Sequence, residues 1–204
     1  MDVSMNKEGV AKPKLITRIL RAIYPLHDDV VAKAFIKAGL YRKALELLPP
    51  YWKRIVDLGC GTGRTFEVVE EGKVVVGLDL TLDFLKIAKT RHRQKPFDLV
   101  YGTATHLPFR SNSFDGVLTY TMMHHLTYDE KLRTLSEIAR VSDTYVFGEV
   151  GKKLCWSSIL LKMIGSKGLI SKDVFEKVGL RIEVWEDPKS FCLIIGKASR
   201  LRKE

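Results

Sequence analysis

The stretch Val56-Asp57-Leu58-Gly59-Cys60-Gly61-Thr62-Gly63 decides how this chain of 204 residues folds. An apolar run precedes it and an amphipathic stretch follows it, so its glycines stand at a turn between a strand and a helix. Glycines two residues apart permit a tight turn and let a ligand approach the backbone closely. Asp79 ends the next apolar run, where a carboxylate can accept hydrogen bonds from ribose hydroxyls. The pattern predicts a site for an adenosine-containing cofactor at the carboxyl ends of parallel strands.

A nicotinamide dinucleotide is the alternative ligand for such a loop. Its fingerprint needs a third glycine, for close packing of the helix. That glycine would stand at position 64 or 66, and these positions hold Arg64 and Phe66. The dinucleotide fingerprint is therefore not met.

Short apolar runs alternate with amphipathic stretches over the rest of the chain. The runs predict strands at Arg54–Leu58, Val74–Asp79, Asp98–Tyr101, Gly116–Tyr120, Thr144–Glu149, Arg181–Glu186 and Phe191–Gly196. The amphipathic stretches predict helices at 64–71, 82–92, 129–140, 154–164 and 172–178. This alternation favours a parallel sheet with helices on both faces. The last two strands are separated by Asp187–Ser190 alone, so we expect them to form an antiparallel hairpin.

The chain divides near Pro49-Pro50. Residues 1–14 are polar and predict a loose arm, and Leu15–Leu48 reads as helical with a break near Gly39. We therefore expect an N-terminal arm and helical cap region at 1–50 and one globular domain at 51–204. No apolar run is long enough to span a membrane, and the first residues lack the layout of a signal peptide. Three distant cysteines suggest neither disulfides nor a zinc site, so we expect a cytoplasmic protein without a metal.

The net charge of +10 is concentrated in three basic clusters. They are Lys86–Lys95, Lys152–Lys172 and the tail Lys189–Lys203. Clustered cations attract polyanions such as RNA, although a solvated basic surface has the same composition. Both interpretations stay open at this point.

Three segments resemble the class I S-adenosylmethionine-dependent methyltransferases. Asp57–Gly63 resembles their motif I, and Gly77–Thr81 is similar to their motif II. Gly102–Phe109, with Ser111–Val117 after it, resembles the segment that reads the adenine edge. The resemblance implies an α/β, Rossmann-like fold with a seven-stranded, mostly parallel sheet, an antiparallel last hairpin and helices on both faces. It also implies S-adenosylmethionine as the cofactor.

The resemblance further implies roles for individual residues. Asp57 would approach the methionine amino group, Asp79 would hold the ribose hydroxyls, and Tyr120 would lie near the sulfonium. Thr103 stands where the family often has an acid. The remaining implied cofactor-binding residues are Gly59, Cys60, Gly61, Gly63, Leu80, Phe84, Thr103 and Ala104.

Candidate catalytic residues follow the fourth and fifth predicted strands. His124 and His125 can titrate near neutrality, so either could remove a proton from an acceptor. Alternatively, one of them packs under the following helix while the other is solvated. Glu149, at the end of the fifth strand, is a third candidate, and we expect it to face the cleft.

The acceptor is open between two enzyme classes. Leu107–Phe109 and Phe114-Asp115 resemble methyltransferases of quinones and other small metabolites, which are called type 11. His124–Thr127 and the segment from Arg133 to Arg140 are similar to domains that methylate wobble-uridine side chains in transfer RNA. We expect a small-molecule acceptor, with transfer RNA as the alternative. A non-catalytic S-adenosylmethionine-binding subunit is a third hypothesis, which the intact glycine loop and Asp79 disfavour.

The scarcity of side-chain amides predicts thermal stability. Asn6, Gln94 and Asn112 are the only ones, beside abundant lysine and glutamate, and this composition is typical of hyperthermophilic proteins. We therefore expect a thermophilic source and an unfolding midpoint above the ~45–65 °C of mesophile domains. Scanning calorimetry of the purified protein measures it, and a midpoint near 50 °C would contradict the prediction.

Overall fold

Seven strands of the chain form one mixed sheet. The computed structural model describes residues 33, 36–37, 39–95, 97–150, 170–186 and 193–201. Along the sheet the strands lie in the order β3-β2-β1-β4-β5-β7-β6. Their bounds are β1 Arg54–Leu58, β2 Val74–Asp79, β3 Phe97–Tyr101, β4 Gly116–Tyr120, β5 Thr144–Val150, β6 Leu180–Glu186 and β7 Leu193–Arg200.

The direction of the strands follows the length of their connections. The first five strands pair in parallel, and each connection between them is long enough to cross the sheet. β7 pairs antiparallel with both β5 and β6. Only a short link separates β6 from β7 in the sequence. The predicted parallel sheet with an antiparallel last hairpin is thus confirmed.

The helices of the described chain cover both faces of this sheet. They are α1 Leu40–Glu46, α2 Thr65–Val68, α3 Leu82–Arg91, α4 Tyr128–Val141 and α5 Lys172–Lys177, with a 3₁₀ turn at Met123–His125. Each face of the sheet is covered by its own apolar core. Ile55 and Val56 are neighbours on β1 and therefore point to opposite faces, and they lie in different cores. α1, α2 and α3 contribute to the core that contains Ile55, and α4 and α5 contribute to the other. Within the described residues, no helix is long and apolar enough to cross a bilayer.

Two elements end three or more residues away from their predicted bounds, and the other described strands and α-helices from β1 onward differ by at most one residue at either end. β7 was predicted to end at Gly196, but it continues to Arg200. Gly196 is needed for close packing inside the strand, since a Cβ atom there would lie 2.2 Å from Phe147 Cζ. α2 is shorter than the predicted 64–71, because Val69 is already extended and Gly72 turns the chain with φ of 81°. The predicted helix at 154–164 and residues 1–32 lie outside the described residues.

An ion pair on α4 fixes the segment that precedes β4. Arg140 Nε lies 2.7 Å from Glu137 Oε1. Glu137 Oε2 accepts a hydrogen bond from the Leu107 N–H at 2.7 Å, and Arg140 donates to the carbonyl oxygens of Phe109 and Leu107 at 2.7 and 3.1 Å. These charge-assisted bonds hold the segment between β3 and β4 against α4.

Candidate active site

A cavity of about 730 Å³ opens at the carboxyl ends of β1, β2 and β4, within the range usual for small-ligand sites. Parallel strands place their carboxyl ends at one edge, so residues distant in sequence meet there. Of the predicted site residues, the following line the cavity: Asp57, Gly59, Cys60, Gly61, Asp79, Leu80, Phe84, Thr103, Ala104, Tyr120 and His125. Gly63, His124 and Glu149 do not.

The glycine loop forms the wall nearest β1. Gly59, Gly61 and Gly63 have φ angles of 72°, 54° and 82°, in the left-handed region that glycine adopts without strain. A Cβ on Gly59 would lie 2.3 Å from Met122 Cγ, and one on Gly63 would lie 2.7 Å from the Phe66 ring. Gly63 therefore serves the geometry of the turn, and Gly59 serves the close approach of two pocket segments.

Asp79 joins the glycine loop to the end of β2. Its Oδ2 accepts a hydrogen bond from Gly61 N–H at 2.8 Å, and its Oδ1 accepts one from Thr81 N–H at 2.7 Å. Burial raises the pKa of this carboxyl, and the backbone N–H groups oppose the shift. Each carboxylate oxygen has a second lone pair, so the group can still accept a hydroxyl from a ligand.

Asp57 is a buried acid whose charge is poorly compensated within the described chain. Burial raises its pKa from 3.8 to about 7, the Thr65 side chain opposes this with a hydrogen bond, and the Asp79 carboxylate adds to it. Asp57 Oδ1 has no hydrogen-bond partner among the described residues. Unpartnered buried oxygens are rare in native proteins, so this one is available to a cationic ligand group in the cavity.

Residues that were not predicted also line the cavity. The Tyr41 ring of α1 stacks on Tyr120 with ring centroids 3.9 Å apart, and both tyrosines are pocket residues. Arg64 is 6% exposed and lines the cavity beside the glycine loop. The position of Arg64, next to the last glycine, was a usable signal. Tyr41 offered none, because only packing of α1 on the sheet brings it here.

The paired histidines separate in the 3₁₀ turn. His125 lines the cavity, whereas His124 is 2% exposed and its Nδ1 lies 3.6 Å from Glu149 Oε2. The two rings are 4.0 Å apart. Glu149 was expected to face the cleft, but it is 1% exposed, and its Oε1 accepts hydrogen bonds from Met122 N–H and Met123 N–H at 3.1 and 3.0 Å.

Comparison with known proteins shows that this chain is similar to methyltransferases. Residues 56–144 match the family model Methyltransf_11, described as a methyltransferase domain. A demethylmenaquinone methyltransferase of Corynebacterium kroppenstedtii is 35% identical over 136 residues, which are 64% of this chain and 56% of that protein. The 18S rRNA (guanine-N(7))-methyltransferase of Schizosaccharomyces pombe is 33% identical over 101 residues, which are 47% of this chain and 37% of that protein.

A solved structure has the same fold. The magnesium protoporphyrin IX methyltransferase of Synechocystis PCC 6803, solved with bound S-adenosylhomocysteine (SAH), superposes with a TM-score of 0.60 at 16% identity. The superposition covers 95% of this chain and 90% of that one. Residues 56–144 of this chain thus match a methyltransferase domain, and the chain has the fold of the class I, S-adenosylmethionine-dependent methyltransferases. It spans about half or less of the length of the two relatives named above.

The residues that line the cavity fit S-adenosylmethionine. S-adenosylmethionine carries an ammonium group, a ribose and an adenine. The cavity offers an unpartnered buried carboxylate oxygen on Asp57, acceptor positions on Asp79, and apolar side chains on Leu80 and Phe84. Cys60 adds a neutral surface, because burial and the two carboxylates raise the pKa of its thiol.

Asp57→Asn should stabilise the protein and weaken cofactor binding. An acid whose pKa is raised on folding stabilises the fold below its unfolded pKa and loses that contribution as the pH rises toward about 7. At pH 8 the variant should therefore gain about 1–3 kcal/mol in free energy of unfolding. It should lose about tenfold or more in affinity for SAH, measured by calorimetry. A variant that is less stable and binds normally would refute both statements.

The pH dependence of SAH affinity is the control that tests the role of the Asp57 charge. In the wild-type protein, SAH affinity should rise between about pH 6 and pH 8 as Asp57 ionises. In the Asp57→Asn variant that rise should be absent.

His124 and His125 should respond differently to alanine substitution. His125→Ala should lower methyl transfer while SAH affinity and the unfolding midpoint stay unchanged, because the ring lies in the cavity. His124→Ala should lower the unfolding midpoint, because it removes a buried ring beside Glu149. Calorimetry and a label-transfer assay separate the two effects. Small, equal losses in both variants would assign the pair a packing role alone.

Proposed function

We propose that the protein transfers the methyl group of S-adenosylmethionine to a small organic acceptor. The observation that carries this proposal is the single cavity that Asp57, the glycine loop and Asp79 share with His125. One side of it suits the cofactor, and the other side offers a titratable ring beside apolar side chains. A cavity of this size can hold two small reactants together.

The proposed cofactor contacts are those that the family resemblance implies, and the residues concerned line one cavity. Asp57 binds the methionine amino group, and Asp79 binds the ribose hydroxyls with its remaining lone pairs. Leu80 and Phe84 flank the adenine, and Thr103 and Ala104 meet its edge. Tyr120, stacked on Tyr41, faces the sulfonium region, where aromatic rings stabilise a positive charge.

The chemistry asks little of the protein beyond alignment. S-adenosylmethionine would supply a methyl group bonded to a sulfonium sulfur, and the sulfur would leave as a neutral thioether when the methyl group is transferred. The pocket walls hold the acceptor in line with that methyl group and exclude water, which can lower the barrier by several kcal/mol. His125 removes the acceptor proton where the acceptor has one to lose.

The use of the basic residues favours a small acceptor over RNA. In the first basic cluster, Arg91 donates to Thr62 O at 3.2 Å and Lys95 donates to Phe66 O at 2.5 Å. In the tail cluster, Lys197 pairs with Glu183 at 3.1 Å and Arg200 bonds Asp143 at 2.7 Å. These cations hold the protein's own elements together, which leaves fewer of them for phosphates. Most of the middle cluster, and Lys189, Arg202 and Lys203 of the tail cluster, lie outside the described residues.

The segment that resembles transfer RNA enzymes also has an internal role. Its Glu137 and Arg140 clamp the chain at Leu107 and Phe109. Such a clamp serves any acceptor, so it does not favour RNA. Because one relative is an rRNA methyltransferase, RNA is the alternative acceptor that the experiment has to test.

A label-transfer experiment tests the proposal. The protein is incubated with methyl-labelled S-adenosylmethionine and, in separate reactions, a metabolite extract or total RNA. We expect label in a small molecule, and none in reactions with Asp79→Ala, which lacks both of the acid's hydrogen bonds. Label at one nucleotide of an RNA would replace the proposal with the RNA alternative. Binding of SAH without transfer to either pool would indicate a non-catalytic binding subunit.

A further inference from the structure

The segment after β4 has a strained backbone at the cavity. Thr121, a pocket residue, has φ of 52°. A β-branched residue in the left-handed region is an energetically unfavourable outlier, and surrounding contacts have to maintain it. Residues held in this way concentrate at functional sites. The contacts that maintain Thr121 are therefore of interest.

The end of β5 supplies those contacts. Three consecutive N–H groups, those of Thr121, Met122 and Met123, donate to β5. Thr121 N–H donates to the carbonyl oxygen of Gly148 at 2.7 Å. The other two donate to Glu149 Oε1 at 3.1 and 3.0 Å. One side-chain oxygen thus closes the turn from which the 3₁₀ helix begins.

The Thr121–Met123 turn sets the position of the Met122 side chain against the glycine loop. Met122 lines the cavity, and its Cγ occupies the space that a Cβ on Gly59 would need, at 2.3 Å. A displacement of the turn would therefore move Met122 relative to the cofactor wall. Contacts run without a gap from Glu149 through the Met122 backbone and side chain to Gly59.

We propose that Glu149 is a positioning residue that holds the strained Thr121–Met123 turn, and through Met122 the glycine loop, in the shape that binds the cofactor. It acts through the reach of its carboxylate oxygen to two backbone N–H groups. It does not act as a base, since it is 1% exposed and is absent from the cavity lining. This inference rests on the proposed function only in taking the cavity to be the cofactor site.

Two conservative variants of Glu149 distinguish the effect of side-chain length from the effect of the carboxylate charge. Glu149→Gln keeps an acceptor oxygen at the same distance from the backbone and removes the charge. Glu149→Asp keeps the charge and withdraws the oxygens by one methylene. Positioning predicts that Glu149→Gln binds SAH within about threefold of wild type, whereas Glu149→Asp loses about tenfold or more, the usual scale for hydrogen bonds to a charged group. A role for the charge predicts the reverse order.

Amide hydrogen exchange gives a readout that does not depend on affinity. In Glu149→Asp, the amides of Met122 and Met123 should exchange faster, while those of β1 and β4 keep their wild-type protection. Val174→Ala, a core change on α5 outside the cavity lining, is the control for stability loss. It should lower the unfolding midpoint without weakening SAH binding or changing exchange at the turn.

The results with these variants decide whether Glu149 has the positioning role. Equal losses of affinity in both Glu149 variants, normal binding by Glu149→Asp, or the same loss of affinity in Val174→Ala would overturn the positioning role. If wild-type protein failed to bind SAH, the proposed function itself would be wrong. Wild-type binding therefore separates the two failures.

Discussion

The hydrogen bonds between the glycine loop and the end of β2 are the constraint on which the site depends. Gly59 and Cys60 donate their N–H groups to Leu78 O at 2.8 and 3.1 Å, and Gly61 donates to Asp79. These bonds fold the chain back over the carboxyl ends of two adjacent parallel strands. The positive φ angles of the glycines allow the turn, and Asp79 accepts a hydrogen bond from the half-buried Gly61 N–H, which the turn would otherwise leave without a partner in the loop. The wall of the cavity exists because these two segments are joined.

The parts of the molecule that sequence predicts well are those set by local pattern. The central strands β1, β2 and β4 have the predicted bounds, because strands covered on both faces appear as unbroken apolar runs. The assembly of Asp57, the glycines and Asp79 in one cavity also follows, since the carboxyl ends of parallel strands meet at one edge. The direction of the last hairpin needs only the length of its connection.

What could not be predicted depends on contacts between distant segments. The extension of β7 past Gly196 requires knowledge of the Phe147 ring that lies over it. Glu149 reads as a cleft residue because it ends a strand at the correct edge, yet three donors within the protein turn it inward: two backbone N–H groups and, more distantly at 3.4 Å, the Thr119 hydroxyl. The inequality of His124 and His125 was expected, but which ring enters the cavity depends on the 3₁₀ turn. Sequence periodicity carries no information on such a turn.

Three buried acids at this edge of the sheet differ in how their charge is satisfied, and the difference indicates what each is for. Asp79 has a backbone N–H group on each oxygen. Glu149 has two on Oε1, and its Oε2 lies 3.6 Å from His124 Nδ1 without a hydrogen-bond partner among the described residues. Both acids therefore hold backbone in place. Asp57 has a hydrogen bond from the Thr65 side chain, an oxygen without a partner among the described residues, and a pKa raised to about 7. Such an arrangement destabilises the ionised fold, and a cationic ligand at Asp57 would relieve it. Of the three, Asp57 is the acid that combines an unpartnered oxygen with a place in the cavity lining, so a ligand can compensate its charge.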